Sequence, residues 1–368
     1  MREKSFNISY YKILNWKTFL KFLSQLKKQT FYLYTIFLIL VEVRKNFSKR
    51  KVTEEVNLIY DLYETPTTYG DLYMFLFLCR YFLSVGYKVN FFFIIDLKTN
   101  FSNTKSDKDK LEFIISDMKN LVIELLDHKN SSIFFYSWEK FIKNYNHLHK
   151  NKITLFEKRV LKRKRIFNFS FKMLNYFILN TSENNKRDIL LDKEFKKHYK
   201  KNIDFDFKKN YITWGLRFNK FCAQERNNTE EELIETYKLL KKYLPDKDIV
   251  IISDVNGTNH FKKISEKYNL SLTFSKDFTN SFIEDVLLIL NSDFHYQFKG
   301  GGTSSVAIFS NVNYIIFAPR TYEKLSLTNK FCFWQTKKQI FKKIRHKTRF
   351  NKYKLEFELK KMFLKNNL

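Results

Sequence analysis

The stretch "SDFHYQFKGGGTSSVAIFS", residues 292 to 310, sets three of the chain's seven glycines side by side. A strand pattern, "DFHYQF" at 293 to 298, runs into Gly300, Gly301 and Gly302, and helix spacing resumes from Thr303 to Phe309. A strand that turns through glycine into a helix is the unit of an open parallel sheet, where ligands sit beyond the carboxyl ends of the strands. Glycine lets an anion approach the backbone, and the unbonded N–H groups that open a helix carry about half a positive charge. Lys299, Thr303, Ser304 and Ser305 add an ammonium and hydroxyls. The stretch reads either as a diphosphate cradle or as a tight turn whose hydroxyls only cap the helix. It matches neither GxGxxG with an acidic residue about 20 further on nor GxxxxGK[ST], so a dinucleotide fingerprint and a P-loop are both unsupported.

The same alternation extends to both sides. Downstream, "VNYIIFA" (312 to 318) reads as a strand before Pro319. Upstream, "NYITWGLRF" (210 to 218) and "DIVIISD" (248 to 254) read as strands flanking a helix over 230 to 244 that Pro245 stops. A strand over 270 to 274 and a helix over 280 to 291 follow. An earlier series starts at "VNLIY" (56 to 60), continues through a helix over 71 to 86 closed by Gly86, and repeats with strands at 87 to 95 and 131 to 136. Alternating strands and helices predict parallel sheets with helices on their faces. The expected fold class is α/β, with two Rossmann-like lobes whose parallel sheets face a central cleft. The expected boundaries are a basic amphipathic N-terminal extension over 1 to 52, a front lobe over 53 to 205, a rear lobe over 206 to 330, and basic helices over 331 to 368.

Bulk composition agrees with two lobes. At ~100 to 200 residues per domain, 368 residues suggest two, and 44% apolar with 18% aromatic residues suffices for real cores. The net charge of +29 points to anionic partners. It is spread along the chain without a nucleic-acid signature, which argues for an anionic ligand or membrane face over nucleic acid. Cys79, Cys222 and Cys332 lack disulfide or zinc spacing and suit a reducing, cytoplasmic setting. "FYLYTIFLILV" (31 to 41) falls short of the ~18 residues of a spanning helix. Residues 8 to 51 read as Lys-faced amphipathic helices that either lie on the inner face of a cytoplasmic membrane or pack on the body.

The second half, "LLILNSDFHYQFKGGGTSSVAIFSNVNYIIFAP" above all, resembles the C-terminal lobe of GT-B glycosyltransferases, with likeness to the heptosyltransferase-like and fucosyltransferase-like groups. "TWGLRF", "ERNN" and "IVIISD" are similar to those groups' strand-Arg, Arg-Asn and strand-Asp elements. The resemblance spans about residues 56 to 330. Heptosyltransferase-like turns read Asp-Ser/Thr-Gly where this chain has Gly-Gly-Gly-Thr-Ser-Ser, which leaves the donor type open. The resemblance implies a sugar transfer from a nucleotide-sugar donor to a glycan or lipid-linked acceptor; an inverting course is expected, with retention left open, and the lack of a DxD-like pair in a convincing loop agrees with metal independence. The resemblance implies no cofactor beyond the nucleotide-sugar itself.

On that reading the donor diphosphate contacts are Arg217, Arg226, Lys299, Gly300, Gly301, Gly302, Thr303, Ser304 and Ser305, because guanidinium forks and free amides suit phosphate oxygens. Asp254 either touches the donor nucleoside or caps the next helix. In "PTTYGDLYMF" the Gly70-Asp71 pair is similar to the pair those enzymes place at their first helix. An acceptor hydroxyl must lose its proton to a base; Asp71 is the first candidate and Glu64 the second, although an Asp opening a helix also simply suits the dipole. His147, His149 and His295 join no carboxylate cluster of metal-ligand spacing, so no metal site is expected. Two rival functions remain: a non-catalytic nucleotide-sugar-binding protein on the same fold, and a basic RNA-binding protein.

Overall fold

Strands covered on both faces by helices need continuous runs of bulky apolar residues, and "NLIY", "NFFFII" and "IVII" supply them. A computed structural model describes residues 55–63, 68–95, 108–148, 153–155, 189–219, 224–319, 338–344 and 349–363. The expected N-terminal extension, Glu64, His149 and most of the 150 to 188 region lie outside the described residues.

The front sheet comprises β1 (Glu55–Asp61), β2 (Lys88–Ile95), β3 (Ser131–Ser137) and β4 (Ile153–Leu155). Its order is β3-β2-β1-β4, with every pair parallel. Helices α1 (Tyr69–Ser84), α2 (Lys108–Leu125) and α3 (Trp138–Leu148) connect it. Tyr60 stacks on Phe93 at 5.8 Å and meets the edge of Phe75 at 5.2 Å, so aromatic rings tie β1, β2 and α1 together. In α1 every residue from Leu72 to Cys79 is buried, as for a helix enclosed on more than one side. Gly86, at φ 92°, takes the left-handed position just beyond it, as its sequence position predicts.

The rear sheet comprises β5 (Tyr211–Gly215), β6 (Asp248–Ile252), β7 (Thr273–Phe274), β8 (His295–Phe298), β9 (Tyr314–Pro319) and β10 (Gln339–Ile344). Its order is β10-β9-β8-β5-β6-β7, again all parallel. The chain builds outward from β5 in one direction, then returns to its other side with β8, which makes the gap between β5 and β8 a topological switch point. Helices α4 (Glu230–Tyr243), α5 (Val255–Lys267), α6 (Phe282–Asn291), α7 (Gly302–Ile308) and α8 (Lys352–Phe363) complete the lobe. Capping boxes at Thr229/Glu232 and Ser281/Glu284 open α4 and α6.

The tail differs from expectation. Its first basic segment is the strand β10 beside β9, and only the second is a helix, α8. Ile340 and Ile344 are both buried; a spacing of four fits one helix face and one strand face equally, and the open edge of β9 decides between them. The segment joining the lobes spans both: Leu191 exchanges backbone hydrogen bonds with Phe309 and Asn311 of the rear lobe, while Lys196 pairs with Glu124 of α2 and with Asp127 just beyond it. Among the described residues no helix is long and apolar enough to cross a membrane.

Candidate functional site

The helices that leave the two switch regions, α1 after β1 and α7 after β8, lie side by side and run the same way. Gly70 abuts Gly302, and seven residues further along each chain segment Phe77 of α1 stacks on Phe309, the C-cap residue of α7, at 4.2 Å. A Cβ on Gly70 would stand 3.1 Å from Gly302 Cα, and one on Gly302 would stand 3.3 Å from the Gly70 nitrogen. The two backbones therefore touch, and both helix N-termini open at one place. Just beside this contact, Tyr69 stacks on Phe282 at 4.4 Å and donates to Asp117 Oδ2 at 2.7 Å. The buried Asp117 also accepts the first amide of α6, Phe282 N, at 3.1 Å. Burial raises the Asp117 pKa, against its hydrogen bonds and the Lys276 charge. A front-lobe carboxylate thus closes a rear-lobe helix.

The glycine triplet is bent by two consecutive left-handed residues, Lys299 at φ 65° and Gly300 at φ 68°. Gly301 is extended and needs no conformational licence, but a Cβ there would meet the Gln297 amide nitrogen at 2.7 Å. Gln297 is itself fixed from several sides: Thr303 Oγ1 and Ser304 Oγ donate to its Oε1 at 2.8 and 2.7 Å. Behind it, His295 Nε2 lies 3.4 Å from the same oxygen, and His295 Nδ1 contacts Thr213 Oγ1 at 2.9 Å. Burial lowers the His295 pKa to about 4, so the ring is neutral within this network. No described residue accepts a hydrogen bond from the amides of Gly300, Gly301, Gly302 or Thr303, and the last three of these residues are only half-buried.

The charged groups divide. Lys299 turns away from the opening: its Nζ donates to Glu232 Oε1 at 2.7 Å and to Asn227 O at 3.0 Å, both partners of the ion pair being nearly enclosed. Its place in the sequence suggests a phosphate contact, but the left-handed backbone aims its side chain into the rear lobe. Arg226 holds the same turn from the other side, with Nε and Nη2 each 3.3 Å from Lys299 O. Its positive charge reaches Asp71, where it opposes the dominant effect of burial. Arg217 fixes the loop through its backbone, its N donating to Asn228 Oδ1 at 2.8 Å and its O accepting from Asn228 N at 2.9 Å. Asp254 is exposed and caps α5, accepting from Gly257 N at 2.7 Å. The buried Ser305 hydroxyl lies under Gly70.

Asp71, the residue after Gly70, accepts from Thr68 Oγ1 at 2.5 Å, while its own amide lies 3.4 Å from that oxygen. Burial raises its pKa to about 6; Thr68 and Arg226 pull the other way. The carboxylate is therefore ionised at neutral pH yet more basic than an ordinary Asp.

No protein-family model matches the chain, and no curated protein matches it in sequence. Among solved structures it is similar to the ADP-heptose lipopolysaccharide heptosyltransferase II of E. coli, at 11% identity and TM-score 0.44, covering 85% of this chain and 100% of that one. It is also similar to a family 9 glycosyl transferase from Veillonella parvula, at 8% identity and TM-score 0.48, covering 85% and 98%. A putative UDP-N-acetylglucosamine 2-epimerase from Listeria monocytogenes follows at 10% identity and TM-score 0.33, covering 85% and 88%. At such identities and scores none of them assigns a reaction to this chain.

The site's own composition is more informative. It gathers a basic carboxylate, half-buried free amides and Arg226 where the two sheets' helices converge. That set can accept a proton on one side and receive an oxyanion on the other. Several of its supports are absent from the sequence reading: Thr68, Tyr69, Asp117, Gly215 and Gln297. A signal existed for Gln297, since "HYQF" places His295 and Gln297 on one face of an otherwise apolar strand. Gly215 ends β5 where a Cβ would come within 2.8 Å of both Gln297 and Thr303, a requirement visible only in three dimensions.

Proposed function

We propose that the protein is a glycosyltransferase that moves a sugar from a nucleotide-sugar onto a hydroxyl of a glycan or lipid-linked acceptor, with inversion and without a metal. The observation that carries this is the contact of Gly70 with Gly302, which brings Asp71 of the front lobe beside the open amides of the rear-lobe glycine turn. In the reaction Asp71 takes the acceptor hydroxyl's proton as that oxygen bonds to the sugar's anomeric carbon. The bond from that carbon to the diphosphate breaks, and the nucleoside diphosphate leaves with the electron pair. Its new charge falls on the amides of Gly301, Gly302 and Thr303 and on Arg226, which are already oriented before the charge develops. Arg217 and the hydroxyls of Thr303, Ser304 and Ser305 shape the same wall, and Asp254 borders the nucleoside side. Glu64, which precedes α1 in the sequence, remains the second candidate base. The working place is the cytoplasmic side of a membrane, where lipid-linked acceptors are available.

The test uses the full chain. Nucleoside diphosphates (UDP, GDP, CDP, ADP) and CMP are compared by thermal shift, and at least one diphosphate raises Tm by several degrees. Asp71→Asn keeps that shift and loses donor turnover by 100-fold or more. No shift with any nucleotide would refute the site. A shift with no turnover by the unmodified protein, over a panel of donors and acceptors, would leave a nucleotide-sugar-binding protein.

A further inference from the structure

Helix α8 buries Leu355, Glu358, Leu359 and Met362 against the rear lobe and leaves its opposite side in solvent. On that outer side Tyr353 is 71% exposed and Phe357 63%. Four residues apart, they stand one above the other on a single face. The helix already has an apolar ridge for the core, so this second, outward aromatic pair has no packing task among the described residues.

Its surroundings are cationic. Lys352, Lys354, Lys360 and Lys361 are all exposed around the rings. Lys352 and Lys360 lie 3.5 and 3.7 Å from Glu235 and Glu356, while Lys354 and Lys361 join no ion pair among the described residues. The helix's acids face elsewhere: Glu356 bonds with Lys242 at 2.8 Å and Tyr243 at 2.9 Å, and the buried Glu358 pairs with Lys342 at 3.0 Å. The outer face therefore presents two aromatic rings inside a frame of lysines.

The helix's direction relates that face to the glycine turn. Phe350, just before α8, meets Phe298 at 5.7 Å, and Phe363 at its far end meets Phe294 at 5.5 Å. Helix α8 thus runs against β8, and Tyr353 stands at the carboxyl end of the sheet, where β8 passes into Lys299 and the glycines.

We propose that the Tyr353/Phe357 face of α8 docks the protein on a bilayer surface rich in anionic phospholipid. Amphipathic rings settle at the boundary of headgroups and acyl chains while the lysine ammonium groups remain among lipid phosphates. Charge complementarity selects an anionic surface, and the rings' projection from a convex helix suits insertion between lipids. A nucleic acid base, by contrast, stacks on rings lying along a groove or sheet. Binding of this kind is reversible and weakens with salt. The inference is independent of the sugar-transfer reading, since it concerns a different face and needs no donor.

The test introduces an indole with Phe357→Trp in the full chain and records its emission as the difference from the unmodified protein. Vesicles of 30% phosphatidylglycerol in phosphatidylcholine shift the added emission to the blue and brominated lipids quench it; pure phosphatidylcholine does neither. The double variant Tyr353→Ser/Phe357→Ser, with Tm unchanged within about two degrees, lowers affinity for the anionic vesicles at least fivefold. If the protein binds the vesicles while the added indole still reports water, another surface docks and the proposal falls. It falls equally if no vesicle is bound, or if single-stranded RNA rather than lipid shifts the emission. Nucleotide thermal shifts in the same preparations report on the transfer site separately.

Discussion

Lys299→Met separates two roles for one side chain. With its ammonium 2.7 Å from Glu232 Oε1 and side-chain exposures of 8% and 6%, the pair is a buried one. Removing one member of such a pair costs about 3 to 5 kcal/mol, because the remaining charge loses its partner. Glu232 keeps two donors, Thr229 N at 3.0 Å and Asn228 Nδ2 at 3.3 Å, which places the expected loss near the lower limit, ~3 kcal/mol. The double variant Lys299→Met/Glu232→Gln removes both charges and keeps a group that accepts from Thr229, so its loss falls to about 1 kcal/mol. Lys299→Gly also loses the pair but relieves the left-handed backbone, worth ~1 kcal/mol, and lies between them. Urea unfolding of the full chain measures all three. Lys299→Met losing less than about 0.5 kcal/mol while donor KM rises tenfold or more would refute the reasoning, for the ammonium would then serve the diphosphate and not Glu232.

Three further outcomes follow from the seam and its carboxylates. Gly70→Ala drives a Cβ to 3.1 Å from the Gly302 backbone, which cannot yield as a side-chain tip can; a loss of about 1 to 3 kcal/mol is expected in denaturant unfolding, and a neutral result would mean the lobes are not held in contact there. The Asp71 pKa of about 6 lies above its value in an unfolded chain, so folding retains a proton and the associated stability, present at pH 4, is lost as pH rises through 6. Accordingly kcat/KM climbs through an apparent pKa near 6, and Asp71→Asn gains stability relative to the unmodified protein at pH 8 but not at pH 4; a pH-independent difference would contradict the assignment. Tyr69→Phe removes a 2.7 Å hydrogen bond to the buried Asp117, and thermal unfolding should show a loss of about 1 to 2 kcal/mol with the Phe282 stacking intact.

The strands and helices were legible where apolar period and breakers agree: Pro245 ends the α4 region, Gly86 ends α1, and "NFFFII" reads as a strand. The alternation of the rear lobe announces its parallel strands β5 to β9, because strand and crossover helix repeat in turn, whereas β10 reads as a helix. Where two periods coincide, as at Ile340 and Ile344, the sequence reads either way and the neighbouring strand edge decides. The strand expected over 270 to 274 is present only as its last two residues, β7, and β4, three residues long, is too short for any pattern. Site residues divide along the same line. Gly70 and the triplet each stand at the start of a helix, as their local turn chemistry suggests, but the contact of Gly70 with Gly302 joins residues far apart in the chain and is visible only in three dimensions. The direction of Lys299 was illegible, since it depends on a left-handed φ and on a glutamate 67 positions away. Glycine's purpose was also ambiguous: at Gly300 it serves conformation, at Gly301 it serves the Gln297 amide, and at Gly302 it serves the opposite lobe.

That last division bears on how a donor would act on the base. Asp71 stands at the start of α1, where the helix dipole favours its anion, and Arg226 and Thr68 favour it too; burial nevertheless wins and raises its pKa. A diphosphate seated against Gly301 and Gly302 would place further negative charge beside it and draw the Arg226 field toward itself. Both changes disfavour the Asp71 anion, so its proton affinity rises when the donor is bound. The base would be at its strongest in the complex that needs it, and the departing diphosphate, by then more highly charged, would favour the protonated carboxyl left behind. Because Gly70 and Gly302 are in backbone contact, such a coupling would act over a fixed short path, and the glycine pair that joins the lobes would set how strongly a bound diphosphate and Asp71 influence each other.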